Sequence, residues 1–515
     1  MREVKIVYLM FDERPCNTLI VQRIARSVPD LQLVMPPEHL LGLKKRPADT
    51  KGLWEWLNEA VGTSDALILS VDMLLYGGLI PSRLHHIDKE QSDLFIEKLR
   101  SFHKTYPTLP IFAANVVMRT PKYSSNDEEP DYYQEFGREL FLRASLMDKR
   151  TRDKLSEDEV KLLDSIESKL PKSYIEDYES RRAFNLTINK RMLDLVHEGV
   201  LTFLSIPQDD SAEYGYTAID QKVIVAKREQ LRLYKKVQMY PGSDEVGATL
   251  LARVYNELTG VCPKIYPLWS STLGPQLIPM YEDRPFGESM KAHIFAAGCQ
   301  LADNPESADL ILAYNTPGRV MQESWEQFEK DITYTSFRNM LTFVDQIKKY
   351  IQSGKKVIVA DSAYANGGDL ELITLLDEEG ILDQLLSYKG WNTNCNTLGT
   401  TIAQGVVGLR EQTDIIRENL LYHLLDDYFY QSEVRMEMVA DFLPKYDLNY
   451  FDLKDKEDLV NLERNKRLIR RYKEVVRHSF KEVELQKIDS FAPWNRMFEC
   501  GLEMKLGPVQ TKENK

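Results

Sequence analysis

Cysteine is scarce in this chain: five among 515 residues, at 16, 262, 299, 395 and 500. They are odd in number and scattered, and no Cys-x-x-Cys or Cys/His spacing occurs, so neither a disulfide framework nor a structural zinc site is indicated. Histidine is also rare, with eight in all. The adjacent pair His85-His86 follows a turn and reads as a loop or surface feature rather than a metal ligand set. Positive charge is in deficit, the formal net charge being −13, which argues against broad binding to nucleic acid or an anionic membrane. No uninterrupted apolar stretch reaches the roughly 18 residues of a membrane span. The opening "MREVKIVYLMFDERP" is charged and then strand-like, unlike a secretory leader. The expectation is a reducing, cytoplasmic setting without nucleic-acid or membrane partners. Phosphate and acyl-transfer signatures are missing as well: "LYGGL" is not a Walker loop, and neither GxGxxG nor GxSxG occurs.

What is present is ordinary globular composition, 43% hydrophobic and 28% charged, enough for a sizeable core. Nine short apolar runs stand out: "VKIVYLM" from Val4, "ALILSV" from Ala66, "IFAANVVM" from Ile111, "LTFLSI" from Leu201, "VQMY" from Val237, "KIYPLW" from Lys264, "LILAYN" from Leu310, "KVIVAD" from Lys356 and "LSYKGWN" from Leu386. Amphipathic segments lie between them, as at Leu94 to Thr105 and Phe337 to Ser353. Near-continuous apolar strands alternating with helices predict an α/β fold with a parallel sheet buried on both faces. Nine candidates is one more than a (β/α)8 barrel needs, so the expectation is a barrel-like domain over 1–408 with "KIYPLW" in an insertion at about 260–305. Residues 121–198 carry dense charge with helical spacing and no strand pattern, which predicts a helical insertion. Beyond Gly408 the pattern predicts a helical carboxy-terminal region, 409–515. Its basic stretch, Arg464 to Arg477, has apolar residues at helical spacing and reads as an amphipathic helix with a solvated basic face.

Polar residues collect where the apolar runs end. "FDERPCN" supplies Asp12, Glu13 and Arg14; "SVDMLLYGGLIPSR" supplies Asp72, Tyr76 and Arg83; the third run ends at Asn115 and Arg119. "SIPQDDSAEYGY" places Asp209 beside Asp210, and "YPGSDEVG" follows with Asp244 and Glu245. Asn315 closes another run, "DSAYANGGD" gives Asp361, Tyr364 and Asn366, and "GWNTNCNTLG" gives Trp391, Asn392, Asn394 and Asn396. Singly these are cap and turn residues. Jointly they predict one polar rim, because in parallel α/β folds ligands bind at the carboxyl ends of strands. Carboxylates and carboxamides bond hydroxyls, and aromatic faces cover the apolar face of a sugar ring, so a neutral polyhydroxylated ligand suits this rim. Asp12, Arg14, Asp72, Asn115, Asn315, Asp361, Tyr364, Trp391, Asn392 and Asn396 are the candidate substrate-binding residues; Arg14 has an equal claim as a structural partner of Asp12 or Asp72. No metal site is assigned, although Asp12, Glu13, Asp72, Asp209 and Asp361 could hold a divalent cation through oxygen.

Asp209 and Asp210 are the candidate catalytic residues. One like charge raises the other's pKa, leaving one acid to donate a proton while its neighbour stays ionised. On a regular strand adjacent side chains point oppositely, so a turn or bulge has to aim both acids into one place. The doublet resembles that of substrate-assisted N-acetylhexosaminidases on β/α barrels. That resemblance implies that Asp209 orients the substrate's acetamido nucleophile and Asp210 protonates the leaving group. Across most of the chain the ordered series "FDERPCN", "DMLLYGGLIPSR", "QDDSAEYGY", "YPGSDEVG", "YEDRP", "DSAYANGGD" and "GWNTNCNTLG" resembles the uncharacterised bacterial family called domain of unknown function 4127. The first motif departs from that family, with Phe11-Asp12-Glu13 in place of its usual Leu-Asp-Asp. The resemblance implies a shared pocket and names no activity. The sequence therefore carries three competing expectations: a glycosidase of a small or terminal carbohydrate, a metal-dependent hydrolase or lyase, and a non-catalytic carbohydrate-binding protein.

Overall fold

The computed structural model describes residues 3–410 and 414–508. The chain divides into two compact units: residues up to Thr18 with Asp30–Val254 and Tyr281–Arg284, and Leu19–Pro29 with Tyr255–Met280 and Pro285 onward.

The first unit is built on six strands, β1 (Val4–Leu9), β2 (Leu31–Val34), β3 (Ala66–Ser70), β4 (Ile111–Ala114), β5 (Phe203–Gln208) and β6 (Val237–Pro241). They form one parallel sheet in the order β2-β1-β3-β4-β5-β6. Every residue of β3, β4 and β5 is buried, which is why their sequences are near-continuous apolar runs. The edge strand β2, "LQLV", is half open to solvent and too short to leave such a run. Between β4 and β5 come three helices, Tyr133–Arg152, Glu157–Lys169 and Lys172–His197. The second starts with a capping box, Ser156 and Glu159 each satisfying the other's backbone N–H. Met118, Tyr133, Leu140, Ile166, Leu170 and Tyr178 form a core of their own there.

The second unit has β7 (Lys264–Trp269), β8 (Gln300–Leu301), β9 (Leu310–Asn315), β10 (Gln322–Glu323), β11 (Lys356–Asp361), β12 (Tyr364–Ala365) and β13 (Ser387–Lys389). Five of these make a second parallel sheet, β13-β11-β9-β7-β8, while β10 pairs with β12. Counted from its first strand, this sheet repeats the order 2-1-3-4-5 found in the first one. Both are doubly wound orders, with a reversal point between the first and third strands.

All nine apolar runs are therefore strands of parallel sheets, but they do not close one eight-stranded ring. Among the described residues they divide between two sheets. The apolar pattern reports burial on both faces, a property that barrels and doubly wound sheets share, and it carries no information on which strands are neighbours. "KIYPLW" is no part of an insertion: as β7 it lies between β9 and β8 and opens the second sheet.

After Gly408 come helices Asp414–His423, a fully buried π-helical turn series Leu424–Val434, Arg435–Asp441 and Glu457–Val475. The expectation of an all-helical tail fails at β14 (Val483–Phe491) and β15 (Gly501–Pro508), an antiparallel hairpin flanking "APWNR". Its strands are largely exposed and charged, so they lack the apolar run that marks the others. In helix Glu457–Val475 the basic side chains divide: Lys466 and Arg470 are exposed, as a solvated face requires, whereas Arg464 is buried, Arg467 pairs with Glu463 and Asp441, and Arg471 pairs with Glu433 and Glu474. No helix among the described residues is long and apolar enough to cross a membrane.

Candidate functional site

At the carboxyl end of β1 the chain turns sharply, and Asp12 is consumed by its own neighbourhood. Its Oδ1 accepts from the Arg14 backbone N–H (3.0 Å) and from Asn17 Nδ2 (2.9 Å); its Oδ2 accepts from Arg14 Nε (3.0 Å) and Nη2 (2.7 Å). Arg14 reaches on to Asp244, beyond β6, with Nη2 2.6 Å from Oδ1. Arg14 is thus a buried bridge between the ends of β1 and β6. Burial pushes the Asp244 carboxyl up to about 7 against the pull of Arg14, with Asp12 and Asp209 adding like charge.

Asp72 follows β3, whose last residue, Ser70, caps a short helix by accepting the Met73 N–H with its side-chain hydroxyl. Its Oδ2 accepts from Asn115 Nδ2 (3.2 Å) and from the Val116 N–H (3.0 Å). Asn115, just past β4, in turn accepts from Asn189 Nδ2 at 2.7 Å, so a residue of helix Lys172–His197 fixes it. Burial raises the Asp72 carboxyl to about 7, outweighing the two hydrogen bonds that favour the anion.

The doublet sits in a turn after β5. Asp210 has φ of +43°, in the left-handed region that Asp tolerates better than most residues. This turn defeats strand alternation, and both carboxylates enter one charge network. Register places their partners: Val117 bridges Gln208 in parallel, so Arg119 stands beside Asp210. Arg83 Nη2 holds Asp209 at 2.7 Å and Arg119 Nη1 meets Asp210 at 3.3 Å. Both arginines also bind Glu128 and Glu129, from the segment leading into the helical insertion, at 2.8 to 3.3 Å. The arginines are buried, whereas the acids keep some solvent access, 16% for the Asp209 side chain and 19% for Asp210. Burial raises the Asp210 carboxyl to about 6; Arg119 opposes this and the adjacent Asp209 reinforces it. Arg284 of "YEDRP" donates to Gln208 Oε1, directly before the doublet.

The second sheet carries its own constellation. Asn315 and Asp361 are register partners at the ends of β9 and β11, and Asn315 Nδ2 donates to Asp361 Oδ1 at 2.9 Å. Asp361 Oδ2 accepts from Tyr388 Oη (2.8 Å) and from the Asp369 N–H (2.8 Å). Arg338 joins Asn315 Oδ1 (3.1 Å) to Asp369 (2.8 Å). Burial and the Asp369 charge push the Asp361 carboxyl up. Tyr364 is stacked on Tyr334, with ring centroids 4.5 Å apart and nearly parallel planes. Trp391 is buried against Phe498 at 6.3 Å. The Asn392 carbonyl accepts from the Asn366 N–H (2.9 Å), and both residues have positive φ. The side-chain oxygen of Asn396 is buried and meets no donor among the described residues. Lys389 is buried near Asp427, and its burial lowers the ammonium pKa.

With this geometry in place, one family accounts for the chain: that described as Protein of unknown function (DUF4127) matches residues 6–503. The chain belongs to the DUF4127 family. No curated protein matches it. All seven motifs from "FDERPCN" to "GWNTNCNTLG" lie within the matched segment.

In this DUF4127 protein the rim residues form two groups. Asp12, Arg14, Asp72, Asn115, Asp209 and Asp210 belong to the first sheet's carboxyl edge; Asn315, Asp361, Tyr364, Trp391, Asn392 and Asn396 belong to the second unit. Asp12, Asn115, Asn315 and Asp361 spend most of their hydrogen-bonding capacity inside the protein, which makes them scaffold for the ends of the strands. The doublet is the exception, because its acids retain solvent access. Glu128, Glu129, Asn189 and Arg338 escaped sequence reasoning: Glu128 and Glu129 lie in a uniformly charged segment, and Asn189 and Arg338 lie on or before helices with no motif of their own; Asp369 ends the quoted "DSAYANGGD" but is not singled out there. His85 is a packing residue, bonded to Asn185 at 2.8 Å and set against Tyr76 and Phe184. Among the described residues no three acid, histidine or cysteine side chains are arranged to hold a metal ion.

Proposed function

We propose that this protein is a glycoside hydrolase acting on a small or terminal carbohydrate, with Asp210 as the proton donor and Asp209 as the group that orients the substrate. The observation that carries this reading is the asymmetry within the doublet. Asp210 holds its proton to about pH 6 and meets Arg119 only at 3.3 Å, whereas Asp209 is clamped by Arg83 at 2.7 Å. Two adjacent acids in unequal environments can divide the work of acid and orienter. In the substrate-assisted form of the reaction, the acetamido oxygen of an N-acetylhexosaminide attacks the anomeric carbon as the glycosidic C–O bond breaks. Asp210 delivers its proton to the departing oxygen. Asp209 accepts a hydrogen bond from the acetamido N–H as that group becomes positively charged. Water then opens the cyclic intermediate, and its proton returns to Asp210.

Turnover of a panel of chromogenic N-acetylhexosaminides and other glycosides tests the proposal. Asp210→Asn should lower kcat by about 10²–10⁴-fold, the usual contribution of a positioned general acid. Full retained activity removes Asp210 from the role. The metal-dependent reading has less support, because the acids that would bind a cation are taken up by Arg14, Arg83, Arg119, Asn17 and Asn115.

A further inference from the structure

We infer that Arg435, in the second unit, anchors the oxyanion group of a small ligand, a carboxylate or a phosphoryl group. The glycosidase reading makes no use of this site.

Arg435 directly follows the buried π-helical series Leu424–Val434, a geometry that is uncommon and concentrates at functional sites. It is 1% exposed. Its Nη1 donates to Tyr450 Oη at 3.3 Å, and its Nε and Nη2 meet no acceptor among the described residues. A guanidinium keeps its proton at any ordinary pH, so burying it without a counter-charge is strongly unfavourable. Other buried arginines show the usual remedy: Arg14, Arg83, Arg338 and Arg496 each pair with a carboxylate. The acids nearest Arg435 in sequence are engaged elsewhere. Asp426 accepts from Gln431 at 3.2 Å, Glu433 pairs with Arg471, and Glu437 and Asp441 pair with Arg467. Nε and Nη2 form one edge of the guanidinium. That edge presents two parallel N–H groups, the fork that binds both oxygens of a carboxylate or phosphoryl group.

The guanidinium carbon of Arg435 lies 5.1 Å from the centre of the Trp325 ring and 5.7 Å from that of Phe498. Trp325, Phe498 and Tyr450 are each partly exposed, so Arg435 lies one side chain below the surface. Two loops from the carboxyl edge of the second sheet reach the same place. Trp391 of "GWNTNCNTLG" meets Phe498 at 6.3 Å, and Ser324, next to Trp325, donates to the Asn366 carbonyl of "DSAYANGGD" at 2.9 Å. Such loops are where parallel α/β sheets bind ligands. Arg464 leaves the same two nitrogens without a partner, but Tyr430 and Cys500 beside it are buried, which leaves Arg435 as the reachable one.

The test uses the full chain and two probes, sodium phosphate and sodium glucuronate, titrated calorimetrically at ionic strength held constant with sodium chloride. Wild type should bind at least one probe saturably, with Kd of about 10 mM or tighter. Preference for phosphate assigns a phosphoryl ligand, and preference for glucuronate a carboxylate. Arg435→Lys keeps the charge and loses the fork, so it should bind about tenfold or more weakly. Arg470→Met, on the exposed face of helix Glu457–Val475, should stay within about twofold of wild type. Hydrogen exchange of wild type locates the site, because bound probe should slow peptides spanning 322–327 and 494–500. If Arg435→Lys does not fold, this measurement on wild type decides alone. No saturable binding of either probe up to about 50 mM, undiminished binding by folded Arg435→Lys, or slowing confined to peptides of the first unit overturns the inference.

Discussion

Asp72 offers a quantitative test of the buried network at the end of β3. Its carboxyl is fully enclosed, and its pKa is raised to about 7 from an ordinary 3.8. Between those two values the unfolded chain releases a proton that the folded chain keeps. The contribution of Asp72 to stability is therefore fully present below pH 4 and is lost as pH rises, at about 1.4 kcal/mol per unit until pH 7 is passed. Asp72→Asn removes this dependence without emptying the site. A carboxamide oxygen can accept both bonds now made to Oδ2, from Asn115 and from the Val116 N–H. Relative to wild type, the variant should gain about 2.5 kcal/mol between pH 5 and pH 8. Hydrogen exchange of peptides spanning β3 and β4, compared at matched pH, reads this difference, because the intrinsic pH effect on exchange cancels between the two proteins. A gap that stays constant with pH, or a variant less stable at pH 8, refutes the account of Asp72 as a carboxyl kept neutral by burial.

Other expectations follow from the doublet. If Asp210 is the acid, kcat should fall with a limb near pH 6 as its proton is lost, and pH–rate profiles in a glycoside assay check this. Arg119→Met removes the charge that lowers the Asp210 pKa and should move that limb upward by about 1–3 units. Arg83→Met leaves Asp209 and the buried Glu129 short of a partner; it should cost about 3–5 kcal/mol in chemical denaturation, and a loss below about 1 kcal/mol contradicts the network. Dialysis against excess chelator should leave activity intact under the glycosidase reading, while its complete loss, restored by Mg²⁺ or Mn²⁺, supports the metal-dependent alternative.

How much of this was legible varies by feature. The nine apolar runs appear as strands because burial on both faces leaves little choice of side chain, as in "ALILS" of β3. Strands β2, β14 and β15 were not legible, since half-exposed edges and exposed hairpins tolerate polar residues. The polar strand ends stood out as motifs. Their functions did not, because an Asp that binds a ligand and one saturated like Asp12 have the same letter. Arg14 shows this well: Asp12 lies two residues away, while its other partner, Asp244, is 230 residues distant.

The sequence alone settled the α/β class, the helical character of the segment after β4 and the grouping of acids at strand ends, all of which follow from local periodicity and from the burial each residue tolerates. Only the tertiary structure decided that the strands divide between two sheets of like order, and that Arg83 and Arg119 meet the doublet. Pairing between distant segments is set by register and by competition for buried partners, and such terms belong to no single stretch of chain.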